Sequence, residues 1–407
     1  MKKYARYIIK YIVCICICYH SSMVSSFQLG VENMSAAVLT SMVPHKKSPM
    51  CAGLITNQTG VDQHNNRTID ILLKNKCCDI RYIFVPEHGL TGVAAERDVL
   101  DSKDEKTSIP IMSLYKNGTG KLIAPDYLKN IDVLIFDIQD SGMRHYTYIS
   151  TLLNTMKIAA EYNVPFIVLD RPNPLTGLMQ GPLVDSDLIS FISIAAIPLR
   201  HGMTIGELAR YFNEYELKKT VSLHVVAMTE YDRTRGFMGK WLQQLSPNIK
   251  SLQSCYGYSF LGLIGEIEPF DVGVGTDLAF RCILLPESLH IAPSFWQHLE
   301  NILTAYGIKS DRYSHIHPRS KKPTTGVKLE FCTINELKSF ELFIDIMQLC
   351  KNNNISFSFS KAFNKAVGSK KVQDVIRGTL AKELFLKEIN QDVDTFKQKI
   401  SHLLLYT

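Results

Sequence analysis

Glu87 stands in the tetrapeptide Pro86-Glu87-His88-Gly89, directly after the apolar run RYIFV (81–85). An acid boxed between a proline and a glycine at the end of a buried strand is suited to general acid chemistry. Partial burial is expected to raise its pKa towards the useful range. Cleavage of a glycosidic bond needs such an acid to protonate the leaving oxygen. It also needs a second carboxylate to act as nucleophile or to activate water. Asp137, Asp140, Asp170 and Asp277 are candidates for that second role, and Asp137 and Asp170, which each close an apolar run, are assigned to it beside Glu87.

The guanidinium groups of Arg144, Arg171 and Arg200 could clamp an anionic group bidentately, or neutralise neighbouring aspartates. His88, His145 and His201 lack the spacing of a zinc site, so no metal is expected. There is no G-x-S-x-G elbow for serine-based hydrolysis. No phosphate loop follows any strand, which argues against a sugar-phosphate or nucleotide-dependent transferase.

These groups need elements that bring them together, and four stretches share one pattern. AGLIT (52–56) ends in Asn57, Gln58 and Thr59, and RYIFV ends in Pro86, Glu87 and His88. IDVLIFD (131–137) ends in Gln139, Asp140, Arg144 and Tyr146, and FIVL (166–169) ends in Asp170, Arg171 and Asn173. Apolar runs of this kind read as strands buried on both faces, as in a parallel sheet. Ligands of such sheets sit at the carboxyl ends of the strands. The alternation with helical stretches predicts a doubly wound, Rossmann-like α/β fold over 27–255. Helices are expected at 31–43, 64–76, 148–161 and from Thr204, whose T-x-x-E capping box sets His201 just before a helix N-terminus. Residues 91–108, with Glu96, Asp98, Asp101 and Asp104, read as an exposed loop over the site. From about 255 glycines crowd together without phosphate-loop form. Alternating runs at 326–331 and 355–359, with helices at 336–350, 372–377 and 393–405, predict a smaller α+β domain over 256–407.

The 407 residues are 46% hydrophobic and 21% charged, the composition of a globular chain with a sizeable core. Lys2, Lys3, Arg6 and Lys10 supply four of the net +6 charges, leaving +2 for the rest, and no basic block interleaved with aromatics points to nucleic acid. Residues 1–26 have a basic start, the apolar core YIVCICICY and small residues before Phe27, which predicts a secretory signal and a periplasmic or secreted protein without a stable membrane partner. The remaining seven cysteines are odd in number and sparse, so they read as free thiols rather than a disulfide scaffold.

As a set, GLITNQTGVD (53–62), FVPEHGLTG (84–92), DVLIFDIQDSGMRHYTYIS (132–150), VLDRPNPLTG (168–177), GPLVD (181–185), IPLRHGMTIGELARYFN (197–213), SPN (246–248) and the terminal HLLLY (402–406) resemble the bacterial exo-acting β-N-acetylmuramidases. The resemblance implies a Rossmann-like domain and a smaller C-terminal domain with the site in the cleft between them. It implies cofactor-free release of N-acetylmuramic acid from the non-reducing end of peptidoglycan fragments, with Glu87 as the catalytic glutamate. Its motif residues Asn57, Gln58, His88, Gln139, Asp140, Arg144, Tyr146, Arg171, Asn173, His201, Asn248 and Asp277 become candidates for holding the sugar. One departure stands out: where the family carries Ser-Glu-Gly-Arg-Gly-Thr-Thr, this chain has DVGVGTD (271–277), with Val274 in place of the arginine. A non-catalytic muropeptide-binding protein on the same fold is the alternative.

Overall fold

The computed structural model describes residues 26–44, 49–94, 99–116, 119–235, 237–241 and 243–407. Residues 1–25 of the expected signal segment (1–26), and Glu96 and Asp98 of the 91–108 loop, lie outside the described residues.

The four apolar runs form strands β1 (Met50–Thr56), β2 (Cys78–Val85), β5 (Val133–Asp137) and β6 (Phe166–Leu169). They join β3 (Ser102–Lys103), β4 (Pro110–Ser113) and β7 (Leu223–Val226) in one sheet of order β3-β4-β2-β1-β5-β6-β7. Every pairing is parallel except that of the edge strand β3 with β4. Burial on both faces is why β5 and β6 are apolar throughout apart from the final Asp137. In register, Ile55 pairs with Phe84, Thr56 with Asp137 and Phe136 with Val168, so the four polar clusters emerge at one edge. The order of strands reverses between β1 and β5, the switch point at which such sheets open a crevice.

Helix α1 (Ala36–Met42) is shorter than expected because Ser35 caps it, its hydroxyl accepting from the Val38 amide. Helix α2 (Thr68–Lys74) also starts late. Asp62 accepts from the amides of His64 and Asn66, both at 2.8 Å, and this side-chain turn replaces helix over 62–66. Helix α3 (Tyr148–Tyr162) covers the sheet, and α4 (Ile205–Tyr211) opens on the expected capping box between Thr204 and Glu207. The 91–108 loop is not wholly exposed: Asp104 is buried and ion-paired with Arg67 at 2.6 Å.

Helix α5 (Leu252–Ile264) carries the chain into its second part and contains the boundary expected at 255/256. That part holds an antiparallel sheet of β8 (Cys282–Pro286), β9 (Ile308–Ile316) and β10 (Pro323–Phe331), in order β8-β10-β9. Helices α6 (Pro293–Ala305), α7 (Ser339–Asn352) and α8 (Lys382–Ile400) pack with it, together with short helices at Phe363–Val367 and Lys371–Arg377. A single apolar cluster runs from Phe136 and Leu152 through Leu261 to Phe343 and Phe396, so the two parts share a core. All seven described cysteines are free; Cys332 is exposed, Cys51 half-buried and the other five buried.

The last residues return to the first sheet. The Tyr406 hydroxyl donates to Asp170 Oδ2 at 2.6 Å and accepts from the Met228 amide at 2.9 Å. The Leu405 amide donates to Glu207 at 2.9 Å, and the Tyr406 ring packs edge-on against Tyr231.

Candidate active site

The carboxyl edge holds groups of two kinds. In the first, polar atoms are consumed by the protein itself. Asp137 is fully buried; Arg171 grips it through Nε and, at 2.9 Å, through Nη2, and the Thr68 hydroxyl at the head of α2 donates to Oδ2. Arg171 Nη2 also reaches the Val61 carbonyl at 2.9 Å. Asp170, also fully buried, accepts from the Arg171 and Gly206 amides and from the hydroxyls of Thr204 and Tyr406. The expectation that Asp137 and Asp170 are catalytic is therefore corrected. Each is shut off from solvent and engaged through both oxygens, so neither can reach a sugar or a water.

The same holds for several residues expected to bind substrate. Arg144 is fully buried and spends its donors on the Ser193 hydroxyl and the carbonyls of Pro182, Ile197, Ala366 and Val367, stitching the two parts together. Arg171 is held as described. Arg200 is tied through Nη1 and Nη2 to the carbonyls of Leu175, Ile334 and Leu337, while its Nε has no partner among the described residues. Asn173 caps the turn at Leu175 and donates to the Met203 carbonyl at 2.9 Å. His201 is fully buried; its Nδ1 accepts from the Met203 amide, so Nε2 carries the proton and donates to Asp140 Oδ2 at 3.0 Å. Asp277 is 96% exposed and paired with Lys250, and it does not join the cluster. Asn248 accepts from the Gly275 amide at 3.1 Å, fixing the turn that carries the half-buried Val274.

The second kind keeps polar atoms free. Glu87 is 9% exposed and accepts one hydrogen bond, from Thr147 to Oε2 at 2.6 Å. Among the buried atoms without a partner in the described residues are Asn57 Nδ2, Gln58 Oε1, Asp140 Oδ1, Trp241 Nε1 and both ring nitrogens of His145. Their other atoms are firmly held. Asn57 Oδ1 accepts from the Thr59 amide and hydroxyl, and Gln58 Nε2 donates to the carbonyls of Gln244 and Leu245. Gln139 donates to the carbonyls of Asp140 and Pro172. The hydroxyls of Tyr146 and Tyr148 converge on the Leu245 carbonyl at 2.8 and 2.9 Å.

His88 sits at φ +71°, a left-handed conformation that its neighbours impose, and its Nδ1 donates to the Ala94 carbonyl at 3.0 Å. His88, Asn57 and Gln58 line a cavity of about 780 Å³, within the usual size of a ligand site. Glu87 itself does not line it. A cleft of about 40 Å³ on the other side of Gln243 is bounded by Gln139, Arg171 and Trp241.

Burial pushes the Tyr148 phenol well above its usual range, and the Glu87 charge adds to this. Burial does the same to Tyr258, with help from Glu266, Glu87 and Asp140. Both phenols therefore stay protonated donors beside Glu87. Thr147, Tyr148, Tyr258 and Trp241 belong to the site but were not singled out from the sequence. Thr147 and Tyr148 follow the polar burst of β5 directly; Tyr258 has no local signal, since it arrives from the second part of the chain.

Family models described as the N-terminal and C-terminal domains of the exo-beta-N-acetylmuramidase NamZ match residues 52–253 and 256–406. The chain belongs to the NamZ family. By that membership it is a glycoside hydrolase. Peptidoglycan beta-N-acetylmuramidase NamZ of Bacillus subtilis (strain 168) is 34% identical to this NamZ-family chain over 364 residues, covering 87% of this chain and 86% of that protein. Two crystal structures of DUF1343 family proteins from Bacteroides fragilis NCTC 9343 share the fold. One has a TM-score of 0.79 at 31% identity, and the other 0.73 at 27%, each covering 94% of this chain and 99% of the other.

Asp170 gives the fold a pH dependence of unusual sign. Burial pushes its carboxyl from an ordinary 3.8 up to about 7. Between those values the unfolded chain has released the proton while the folded one keeps it. Folding then binds a proton, and stability falls as pH rises through this window. Asp170→Asn mimics the protonated form. Urea unfolding at pH 4, 5.5 and 7 should show wild type losing stability relative to Asp170→Asn, by up to about 1.4 kcal/mol per pH unit. A difference that does not change with pH would show that Asp170 is folded in its charged form.

Proposed function

We propose that this chain removes N-acetylmuramic acid from the non-reducing end of peptidoglycan fragments, with Glu87 as the general acid, in cell-wall recycling outside the cytoplasm. The observation that carries the reading is the state of the Glu87 carboxylate. Like Asp140 it is neither neutralised by an arginine nor enclosed by donors on both oxygens, but it accepts a single hydrogen bond where Asp140 accepts two, from the Gly142 amide and His201. The Thr147 hydroxyl occupies Oε2, so the transferable proton belongs on Oε1. From there it can pass to the glycosidic oxygen as the bond to the anomeric carbon breaks. Asp140, whose Oδ1 has no partner, is the remaining carboxylate at the switch point. The relative in Bacillus subtilis supports the substrate class, and the basic and apolar start of the sequence supports export.

The test uses protein beginning at Phe27 with a chromogenic β-N-acetylmuraminide and the matching β-N-acetylglucosaminide. Hydrolysis of the first in preference to the second is the expected result. Binding of muropeptides with no turnover of either would favour a non-catalytic binding protein instead. Thr147→Val should lower kcat by about tenfold, the loss of one hydrogen bond to an ionisable group, with little change in KM. An unchanged kcat would remove Thr147 from the mechanism.

A further inference from the structure

His88 is a proton acceptor at this edge whose accepting atom stays open. It lines the cavity of about 780 Å³ and is half-buried. Its turn clamps it at two points to one residue. The Ala94 amide donates to the His88 carbonyl at 3.3 Å, and Nδ1 donates to the Ala94 carbonyl at 3.0 Å. A carbonyl can only accept, so Nδ1 carries the proton of the neutral ring and leaves the lone pair on Nε2. Nε2 has no partner among the described residues and, unlike the ring nitrogens of His145, is not sealed from solvent. The clamp holds a residue other than glycine at φ +71°. Such conformations persist where the surroundings over-determine them, and they cluster at active sites.

The carboxylates considered for the second catalytic role lack such an atom or such a place. Asp137 and Asp170 are engaged through both oxygens, and the unpartnered Oδ1 of Asp140 is buried. Asp277 is paired with Lys250 away from the cluster. Direction matters as well. Glu87 and His88 are consecutive, with Cα atoms about 3.8 Å apart, yet their side chains part at the turn. Glu87 reaches Thr147 at the head of α3, while His88 faces the cavity, which Glu87 does not line. An inverting glycosidase needs such divergence: its acid and base flank the sugar on opposite faces, about 6.5–9.5 Å apart, to admit a water. Imidazole is the side chain most often used for the proton transfer itself.

Resting on the muramidase reading above, with Glu87 as the acid, we propose that His88 is the general base of an inverting hydrolysis. Water attacks the anomeric carbon as its proton passes to Nε2. The bond to the glycosidic oxygen breaks, and that oxygen takes the proton of Glu87. The imidazolium then returns a proton to the Glu87 carboxylate through solvent. Proton NMR of fresh wild-type digests of a nitrophenyl β-N-acetylmuraminide should show the α-anomer of the released sugar first. His88→Asn keeps a donor for the Ala94 carbonyl and suits a left-handed backbone, but it has no base at the Nε2 position. It should lower kcat by about 10²–10⁴-fold, by similar factors on the nitrophenyl glycoside and on a natural disaccharide. Azide needs no deprotonation, so it should restore turnover of this variant and yield the α-glycosyl azide. The β-anomer appearing first overturns the proposal and leaves the muramidase reading standing, and that measurement needs no variant. So does His88→Asn turnover within about threefold of wild type, or a loss that azide does not restore. Wild type that cleaves neither substrate overturns the muramidase reading, and the base role with it.

Discussion

Glu87→Gln should lower kcat/KM on a natural disaccharide by about 10²–10⁴-fold, the range general acid catalysis supplies. Glutamine keeps the size of the side chain and can still accept from Thr147 at the former Oε2 position. It has no proton to give to the leaving oxygen. A nitrophenyl glycoside leaves without much protonation, so the deficit on that substrate should be smaller. The contrast between the two substrates identifies the step. Loss by equal factors on both would mean that Glu87 binds or positions rather than protonates. Full activity on both would remove it from catalysis. The fold should be unaffected, because the carboxylate takes one hydrogen bond and no ion pair.

The largest effect on stability should come from Arg171→Met. It leaves Asp137 fully buried and unpaired at the centre of the sheet edge, which costs about 3–5 kcal/mol. It also releases the contact with the Val61 carbonyl. Pairing it with Asp137→Leu removes the orphaned charge, so the double variant should regain much of the loss. Urea midpoints of the two variants measure this. A single variant within about 1 kcal/mol of wild type would mean that Asp137 finds another partner or takes up a proton. Activity in the double variant is informative too. Hydrolysis that survives without either carboxylate or guanidinium confirms that the pair is architectural.

The parallel sheet was legible because its strands are buried on both faces, and VLIFD and FIVL can be little else. Its polar endings gave away the edge where the site lies. What each ending does was not legible. Asp137 and Glu87 both follow an apolar run; the difference is that Arg171, 34 residues away, folds onto one of them and not the other. Asp170 is claimed by Tyr406, 236 residues on. No local pattern carries such pairings. In the second part, β9 was missed because it alternates between exposed and half-buried positions and reads as polar. Helix α5 was missed for its glycines. Gly257 and Gly262 are penalties for a helix in isolation, yet they permit contacts no other residue allows, since a Cβ at Gly257 would lie 1.7 Å from the Phe280 carbonyl oxygen.

The docking of Tyr406 against Asp170 has a consequence for biogenesis. The strands of the sheet are made early in synthesis, but the hydroxyl that satisfies its buried carboxyl lies 236 residues further along the chain. Closing a loop of that length is entropically slow. A nascent chain therefore carries an unsealed sheet edge, open to chaperones, until Tyr406 is made. Truncation that removes Tyr406 should be far more damaging than the loss of one half-buried residue suggests.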